Sequence, residues 1–309
     1  MGILSHSLED HGSPGPAAAE AKRYARSDEP LLLLGEPGTG KTTLARQIHQ
    51  WSGRSGRFEA YPVAGSTDEL SISSLFGHAR GAWTGAIADR QGVLFAADTG
   101  TLLLDELGAA SPRMQAVLLA LFDHDAVRRQ GEDRARRVTA RIIGASNVDL
   151  DQETRSGRFR RDLLDRFGIL RITLPPLRDR PGDVIPLFEE FVRTALARAG
   201  RSVLVRYAAE VRGFLLSYWW PGNIRELEHV ATATATLVED DAPITLETLP
   251  AAFRTRVCVG ASAEAPSAGR RARALLDRVG GNKSRAAREL GVSRSHLYHL
   301  LRDREGDPE

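Results

Sequence analysis

The sequence predicts an α/β fold in which a parallel sheet is flanked by helices, followed by an all-helical region and a C-terminal helix-turn-helix. From Leu31 onward, short apolar runs alternate with helical patterns, and the clearest runs are "LLLLG", "TLLLDEL", "ARIIGAS" and "ILRITLPPL". Short apolar runs separated by helices are typical of a parallel sheet with helices on both faces. The strand pattern then ends at Pro175 and Pro176, after which the apolar spacing is helical.

The same patterns divide the chain into segments. Residues 1–29 are polar and predict a short N-terminal lead containing one helix. Residues 30–176 carry the α/β pattern, and residues 177–252 carry the helical one. Small residues in "VGASAEAPSAGR" favour a linker over residues 253–269, and residues 270–309 form a last helical unit.

Composition excludes several classes of protein. The 309 residues have a formal net charge of +2 and contain a single cysteine, so neither an intramolecular disulfide nor a multi-cysteine zinc site is expected. No apolar run approaches membrane-spanning length, and the start "MGILSHSLEDHG" has no export-signal pattern. We therefore expect a cytoplasmic protein with no membrane partner.

The stretch "GEPGTGKT" fits the phosphate-binding pattern G-x-x-x-x-G-K-[ST] without a mismatch. It follows an apolar run and precedes a helical pattern, where glycines let backbone N–H groups face phosphates and the helix dipole favours them. Lys41 is expected to reach the β- and γ-phosphates and Thr42 to hold Mg²⁺. The predicted nucleotide-binding residues are Gly35, Glu36, Pro37, Gly38, Thr39, Gly40, Lys41, Thr42 and Thr43.

Two carboxylates follow a second apolar run, in "TLLLDE". The run delivers Asp105 and Glu106 to the sheet edge where phosphates bind. Asp105 is the candidate second magnesium ligand, and Glu106 is the candidate residue that polarises the attacking water. The string "GNKS" lacks the Asp of a guanine-specificity motif and lies in another region, so ATP is the expected nucleotide.

A longer series of motifs resembles one family, the AAA+ bacterial enhancer-binding proteins that activate sigma-54 RNA polymerase. The series comprises "GEPGTGKT", "SLFGHARGAWTGA", "GTLLLDEL", "RIIGASNVDL", "FRRDLLDRFGILRITLPPLRDRPGDV", "WPGNIREL" and "GNKSRAARELGVSRSHLYHLL". The resemblance implies a P-loop AAA+ α/β subdomain, an AAA+ helical lid and a Fis-type helix-turn-helix. It also implies ATP and Mg²⁺, sigma-54 RNA polymerase and enhancer-like duplex DNA as partners, and self-assembly into a ring, expected to be a hexamer.

In this family the loop matching "GAWTGA" contacts the sigma factor and moves with the nucleotide state. The matching residues are Gly81, Ala82, Trp83, Thr84, Gly85 and Ala86. Relatives usually have Phe at the position of Trp83. An exposed aromatic between glycines is a contact residue in this interpretation; the alternative is that Trp83 packs back onto its own subunit.

Further roles follow from the resemblance residue by residue. Asn147 matches a sensor beside the γ-phosphate, and Arg225 matches a second sensor on the lid. Arg160 and Arg166 match arginines that reach a neighbouring subunit's site, although their spacing leaves open that one is structural. Pro62 stands where relatives often have an Asn that restrains the catalytic Glu, and a proline cannot replace that side-chain donor.

The C-terminal segment is basic and fits a helix-turn-helix by itself. From Arg270 to Asp303, nine Lys or Arg residues stand against three Asp or Glu, which favours a polyanionic partner. Asn282 is expected to cap one helix and Ser293 the next, with Ala287 facing inward. The candidate DNA-binding residues are Lys283, Arg285, Arg294, Ser295, His296, Tyr298, His299 and Arg302.

Together these observations predict an ATP-hydrolysing transcriptional activator. Two alternatives remain open: an AAA+ ATPase acting on a different partner, which Trp83 favours, and a DNA-binding repressor or scaffold with a weakened ATPase, which Pro62 favours. Relatives often carry a sensing domain before the ATPase. About thirty residues precede the ATPase pattern here, so we expect control from a partner protein or from the level of synthesis, or none.

Overall fold

The computed structural model describes residues 16–64, 67–82, 88–123, 126–132, 134–201, 205–239, 242–260, 276 and 281–289. The chain divides into two compact units on either side of the Leu174–Pro175 bond. Each unit has its own apolar core, and each is described by itself below.

The described residues of the first unit include nine strands, and the unit is organised around a parallel sheet. The strands are β1 (Leu31–Leu34), β2 (Phe58–Pro62), β3 (Gly77–His78), β4 (Arg90–Gln91), β5 (Thr101–Asp105), β6 (Ala126–Arg128), β7 (Ala135–Arg137), β8 (Arg141–Ser146) and β9 (Arg171–Thr173). Five of them form one sheet in the order β2-β5-β8-β1-β9, and every pairing in it is parallel. The predicted α/β class is therefore confirmed.

Helices surround this sheet and bury both of its faces, and seven α-helices lie among the residues described for this unit. They are α1 (Pro16–Tyr24), α2 (Lys41–Ser52), α3 (Asp68–Phe76), α4 (Val93–Ala96), α5 (Pro112–Asp123), α6 (Leu150–Arg155) and α7 (Arg161–Arg166). Leu31 and Leu33 belong to one apolar cluster, whereas Leu32 belongs to another. Because successive strand side chains point to opposite faces, this division explains the uninterrupted run "LLLL".

Two short antiparallel ribbons, β3–β4 and β6–β7, stand outside the main sheet. The apolar pattern did not predict them. In β6–β7 only Val127 is partly buried and packed against the core, while the other strand residues are exposed. Strands this short carry no period that distinguishes them from a polar loop.

The helix in the predicted N-terminal lead is packed onto the sheet rather than separate from it. Ala21 and Ala25 are buried, and the guanidinium of Arg141, which is 1% exposed, donates to the carbonyl oxygens of Ala25 (2.7 Å) and Tyr24 (2.8 Å). Burial lowers the pKa of Arg141 to about 10, so this side chain remains charged near neutral pH. Arg141 thereby supplies donors to carbonyls at the end of α1.

The second unit is helical. Its described helices are α8 (Val184–Arg198), α9 (Ala209–Ser217), α10 (Asn223–Leu237), α11 (Ala251–Gly260) and α12 (Lys283–Glu289). Helix α11 runs past residue 252, where the predicted linker begins. The reason is burial of Phe253, whose ring stacks on Trp220 at 5.3 Å between centroids. Among the described residues, no helix has the length and apolar character of a membrane span.

Candidate functional site

The loop between β1 and α2 is shaped by glycines. Gly38 and Gly40 have φ angles of 78° and 100°, in the left-handed region that other residues adopt only at a cost. The backbone N–H of Gly35 donates to the carbonyl of Ser146 at the end of β8, at 3.2 Å. The loop is thus fixed to the carboxyl edge of the sheet, directly before the N-terminus of α2.

Lys41 opens helix α2 and its side chain lies across this loop. The residue is 9% exposed, and its Nζ donates to the carbonyl oxygens of Gly35 at 2.6 Å and Glu36 at 3.0 Å. The positive charge is therefore held beside the backbone that would surround a phosphate.

Thr42 and Asp105 come from different elements and meet at the same edge. The Thr42 hydroxyl donates to Oδ2 of Asp105 at 3.2 Å, while Oδ1 of Asp105 accepts from the backbone N–H of Glu106 at 2.9 Å. A hydroxyl and a carboxylate are oxygen ligands of the kind Mg²⁺ prefers, usually completed by water and phosphate. The described residues contain no group of three or more His, Cys, Asp or Glu placed to hold a metal.

Glu106 follows β5 in an unusual backbone conformation. Its φ and ψ are 57° and 39°, a left-handed conformation that costs a non-glycine residue about 1–2 kcal/mol. The residue is exposed. On the neighbouring strand, Pro62 is the register partner of Asp105, so that position offers Glu106 no side-chain hydrogen-bond donor.

The remaining predicted catalytic residues, Asn147, Arg160, Arg166 and Arg225, are all exposed. Asn147 directly follows β8, next to the Ser146 carbonyl that binds the loop. Arg225 lies in the first turn of α10 in the second unit, and Arg166 ends α7.

Arg160 caps the start of α7 and is held locally. Its Nε and Nη2 donate to the two carboxylate oxygens of Asp162 at 3.0 and 2.7 Å. The hydrogen bond from Arg160 holds the pKa of Asp162 below its usual value, and the same bond raises the pKa of Arg160. Both side chains are about half exposed, which screens the pair and keeps it easy to open.

The ribbon β3–β4 leads to the predicted sigma-contact loop. Strand β3 follows α3 directly, His78 pairs with Arg90, and the backbone N–H of Arg80 donates to Oδ1 of Asp89 at 2.7 Å. Gly81 and Ala82 begin the loop and are described. Its remaining predicted contact residues lie outside the described residues, namely Trp83, Thr84, Gly85 and Ala86.

The second ribbon, β6–β7, is tied to the base of the first by Arg129. Its Nη2 donates to the carbonyls of His78 (3.0 Å) and Arg90 (3.1 Å), one on each strand, and its Nη1 donates to Oε1 of Glu132 at 2.7 Å. The N–H of Ala79 also donates to the carbonyl of Gln130 at 2.9 Å. No apolar period or known motif predicts this connection, although the arginine-rich string "VRRQGEDRARR" marks the segment.

The described part of the C-terminal segment agrees with the predicted helix start. Oδ1 of Asn282 accepts from the backbone N–H of Arg285 at 3.0 Å, so the predicted cap is confirmed. Lys283 is half-buried and Arg285 is exposed. Outside the described residues lie Arg294, Ser295, His296, Tyr298, His299 and Arg302, and also the side chain of Ala287.

A glycine-shaped loop between a buried strand and a helix, with a threonine hydroxyl bonded to a carboxylate beside it, defines the P-loop nucleoside triphosphatase class. Residues 13–173, more than half of the chain, match the "Sigma-54 interaction domain" family, and the chain belongs to that family. Residues 178–265 match "AAA+ ATPase lid domain" and residues 273–302 match "Bacterial regulatory protein, Fis family". The resemblance stated from the motifs is thereby confirmed.

Curated relatives are transcription regulators. The chain is 38% identical to the nitric oxide reductase transcription regulator NorR2 of Cupriavidus necator, over 92% of this chain and 60% of the relative. It is 38% identical to the transcriptional regulatory protein ZraR of Klebsiella oxytoca, over 90% of this chain and 64% of the relative. The chain therefore spans less than two thirds of the length of these relatives.

Solved structures of similar fold include NtrX from Brucella abortus. The structure of NtrX in complex with ATP has a TM-score of 0.69 and 26% identity, and covers 96% of this chain and 70% of that one. The structure in complex with ADP has a TM-score of 0.68 and 26% identity, and covers 92% of this chain and 65% of that one.

Proposed function

We propose that this protein hydrolyses ATP and uses the reaction to activate transcription by sigma-54 RNA polymerase. The observation that carries the proposal is the arrangement of Lys41, Thr42 and Asp105 on the glycine loop of a sigma-54 interaction domain. The NtrX structures with ATP and ADP support the choice of nucleotide. The Fis-family match supports binding to upstream duplex DNA.

The loop residues have distinct roles in this proposal. Backbone N–H groups between Gly35 and Thr43 bind phosphate oxygens, and Lys41 turns from the loop carbonyls to the β- and γ-phosphates. Thr42 and Asp105 would hold Mg²⁺, which when bound neutralises phosphate charge. Glu106 orients and polarises water, and its exposed position at the sheet edge leaves it free to do so.

The arginines are assigned to assembly. In a ring, which we propose to be a hexamer, Arg160 and Arg166 stabilise charge developing on a neighbouring subunit's phosphates, a task suited to the planar guanidinium. Arg160 must first leave Asp162, at a small cost because the pair is exposed. Asn147 and Arg225 are proposed to sense the nucleotide.

The remaining assignments are part of the same proposal. The two ATPase subdomains are residues 30–176 and residues 177–252. A connecting segment, residues 253–269, leads to the DNA-binding residues within 270–309. The protein acts in the cytoplasm. The loop from Gly81 to Ala86 contacts the sigma factor.

A steady-state ATPase assay, with and without promoter-bound sigma-54 polymerase, tests the proposal. Lys41→Ala should lose nucleotide binding, whereas Glu106→Gln should bind ATP but turn it over very slowly, because only the first removes a phosphate contact. Arg57→Ala, at an exposed position outside the site, is the control. Normal turnover by Glu106→Gln contradicts the role given to Glu106.

The same assay separates the alternatives. Hydrolysis without any response to the polymerase favours a different partner, and absence of hydrolysis with DNA binding retained favours a repressor or scaffold. Mixing Arg166→Ala with Lys41→Ala protein should restore activity at interfaces that combine an intact site with an intact arginine. No rescue on mixing contradicts action across subunits.

A further inference from the structure

The hairpin β6–β7 carries an exposed basic surface that the proposed function does not use. This basic hairpin surface is defined by Arg128, Arg134, Arg136 and Arg137, all of which are exposed. Strand pairing places Ala126 opposite Arg137 and Arg128 opposite Ala135. Since residues opposite each other share a face, Arg128 and Arg137 project from one face of the hairpin, each beside a small alanine, and Arg136, opposite Val127, lies on the other face.

The positive charge of this surface is poorly neutralised. Residues 126–137 contain five arginines against Glu132 and Asp133. The Glu132 carboxylate is taken by the inward-facing Arg129 at 2.7 Å, and Arg136 lies 3.6 Å from it. Within the described part of the chain, Arg128, Arg134 and Arg137 form no ion pair. The hairpin therefore presents guanidinium groups to solvent.

The hairpin is also held in place, so this charge has a fixed position. Arg129 fastens its base to both strands of the β3–β4 ribbon, and the N–H of Gln130 donates to the carbonyl of Gly77 at 3.1 Å. Val127 packs against the core. A ligand that binds here meets a preorganised set of cations, which lowers the entropy lost on binding.

We propose that the basic hairpin surface binds the phosphate backbone of duplex DNA, as a second DNA contact separate from the C-terminal segment. Exposed guanidinium forks match phosphate oxygens bidentately, and cations that neutralise phosphates supply most of the affinity for a duplex of any sequence. The Fis-family segment of the same chain raises the local concentration of DNA around this surface. The inference concerns binding alone and does not depend on ATP hydrolysis.

The test measures binding of the full chain to a labelled duplex of random sequence as salt is raised. The variant replaces Arg128, Arg134, Arg136 and Arg137 by Gln. A matched control replaces four exposed arginines elsewhere by Gln: Arg57, Arg155, Arg198 and Arg212. Fluorescence anisotropy between about 50 and 200 mM salt gives the slope of log affinity against log salt, which is about 0.9 for each phosphate contact.

If two to four of these arginines contact phosphates, the slope falls by about 1.8 to 3.6. The ratio of affinities at the two salt concentrations then shrinks by about 12-fold to 150-fold. Lysine at the same four positions keeps the charge and should recover most of the slope. A slope equal to that of the control variant overturns the proposal.

Two further measurements distinguish DNA binding by the hairpin from DNA binding by the C-terminal segment and from binding of an acidic protein. Lys283→Ala with Arg285→Ala removes charge from the C-terminal segment, and combining it with the hairpin variant should lower the salt slope further, because different phosphate contacts are lost. If the C-terminal arm has no effect while the hairpin variant does, the hairpin contact stands and the proposed helix-turn-helix contact fails. Polyglutamate is the probe for an acidic protein partner. If the hairpin variant loses binding to polyglutamate while its binding to DNA is unchanged, the proposal is overturned in favour of an acidic protein.

Discussion

Gly131 lies where the β6–β7 hairpin approaches Ala82, the second residue of the loop that begins at Gly81. Its φ is 78°, and a Cβ added to it would lie 2.8 Å from the Cβ of Ala82. Replacement by alanine combines a left-handed backbone, costing about 1–2 kcal/mol, with an overlap costing about 1–3 kcal/mol. The added Cβ at position 131 and the Cβ of Ala82 both belong to short segments. We therefore expect the β6–β7 hairpin to separate locally from the β3–β4 ribbon.

A control isolates the contact from the backbone cost. Gly53 has a φ of 69°, and an added Cβ would meet nothing within 4 Å. Gly53→Ala therefore has the free-energy cost of a left-handed alanine but no steric overlap. The difference between the two variants in the free energy of global unfolding is then the overlap with Ala82, about 1–3 kcal/mol.

Amide hydrogen exchange is the direct assay. The N–H of Ala79 and the N–H of Gln130 both cross between the two segments, to the carbonyls of Gln130 and Gly77. Exchange at these amides should rise about 30-fold or more in Gly131→Ala, because both costs act at the hairpin, and should not change in Gly53→Ala, whose cost falls at the end of α2. Equal exchange in the two variants refutes the close contact and, with it, the fixed position of the hairpin.

Three other perturbations have defined outcomes. Arg141→Leu leaves backbone carbonyls at the end of α1 without their buried donor. The free energy of unfolding should therefore fall by about 3 kcal/mol or more, measured by thermal unfolding. An unchanged unfolding midpoint would contradict the contact. Pro62→Asn should lower basal ATP turnover about tenfold by giving Glu106 a donor on the adjacent strand; unchanged turnover would show that the side chains do not meet. Burial and the bond to Glu226 raise the pKa of Tyr218 to about 12. The contribution of the protonated Tyr218 side chain to stability is thus fully present below pH 10 and is lost as pH rises through 12. An ultraviolet titration of the protein, compared with that of Tyr218→Phe, should show no phenolate from Tyr218 near pH 10.

The strands that position the nucleotide loop could be predicted because they are buried on both faces. A strand such as β1 is apolar at every position, and the glycine pattern directly after it allows few other structures. The pairing of Thr42 with Asp105 follows from placing both at the carboxyl edge of one parallel sheet. Much of the candidate site is therefore contained in local patterns.

What the sequence could not reveal depends on contacts between distant residues. Arg141 binds Ala25 across 116 positions of the chain, and no local period reports such a contact. Arg129 is one of five arginines in its segment, and only the fold turns it inward. The burial of Phe253 against Trp220, which extends α11 beyond the predicted boundary, is of the same kind.

Strand β8 connects two features that are far apart in the sequence. At its first residue Arg141 holds the end of α1, and at its last residue Ser146 accepts the N–H of Gly35. The strand has six residues including these two ends, all of them buried, and it spans about 17 Å from its first Cα to its last. The end of α1 and the glycine loop are therefore both hydrogen-bonded to one buried strand, although about ten residues separate them along the chain.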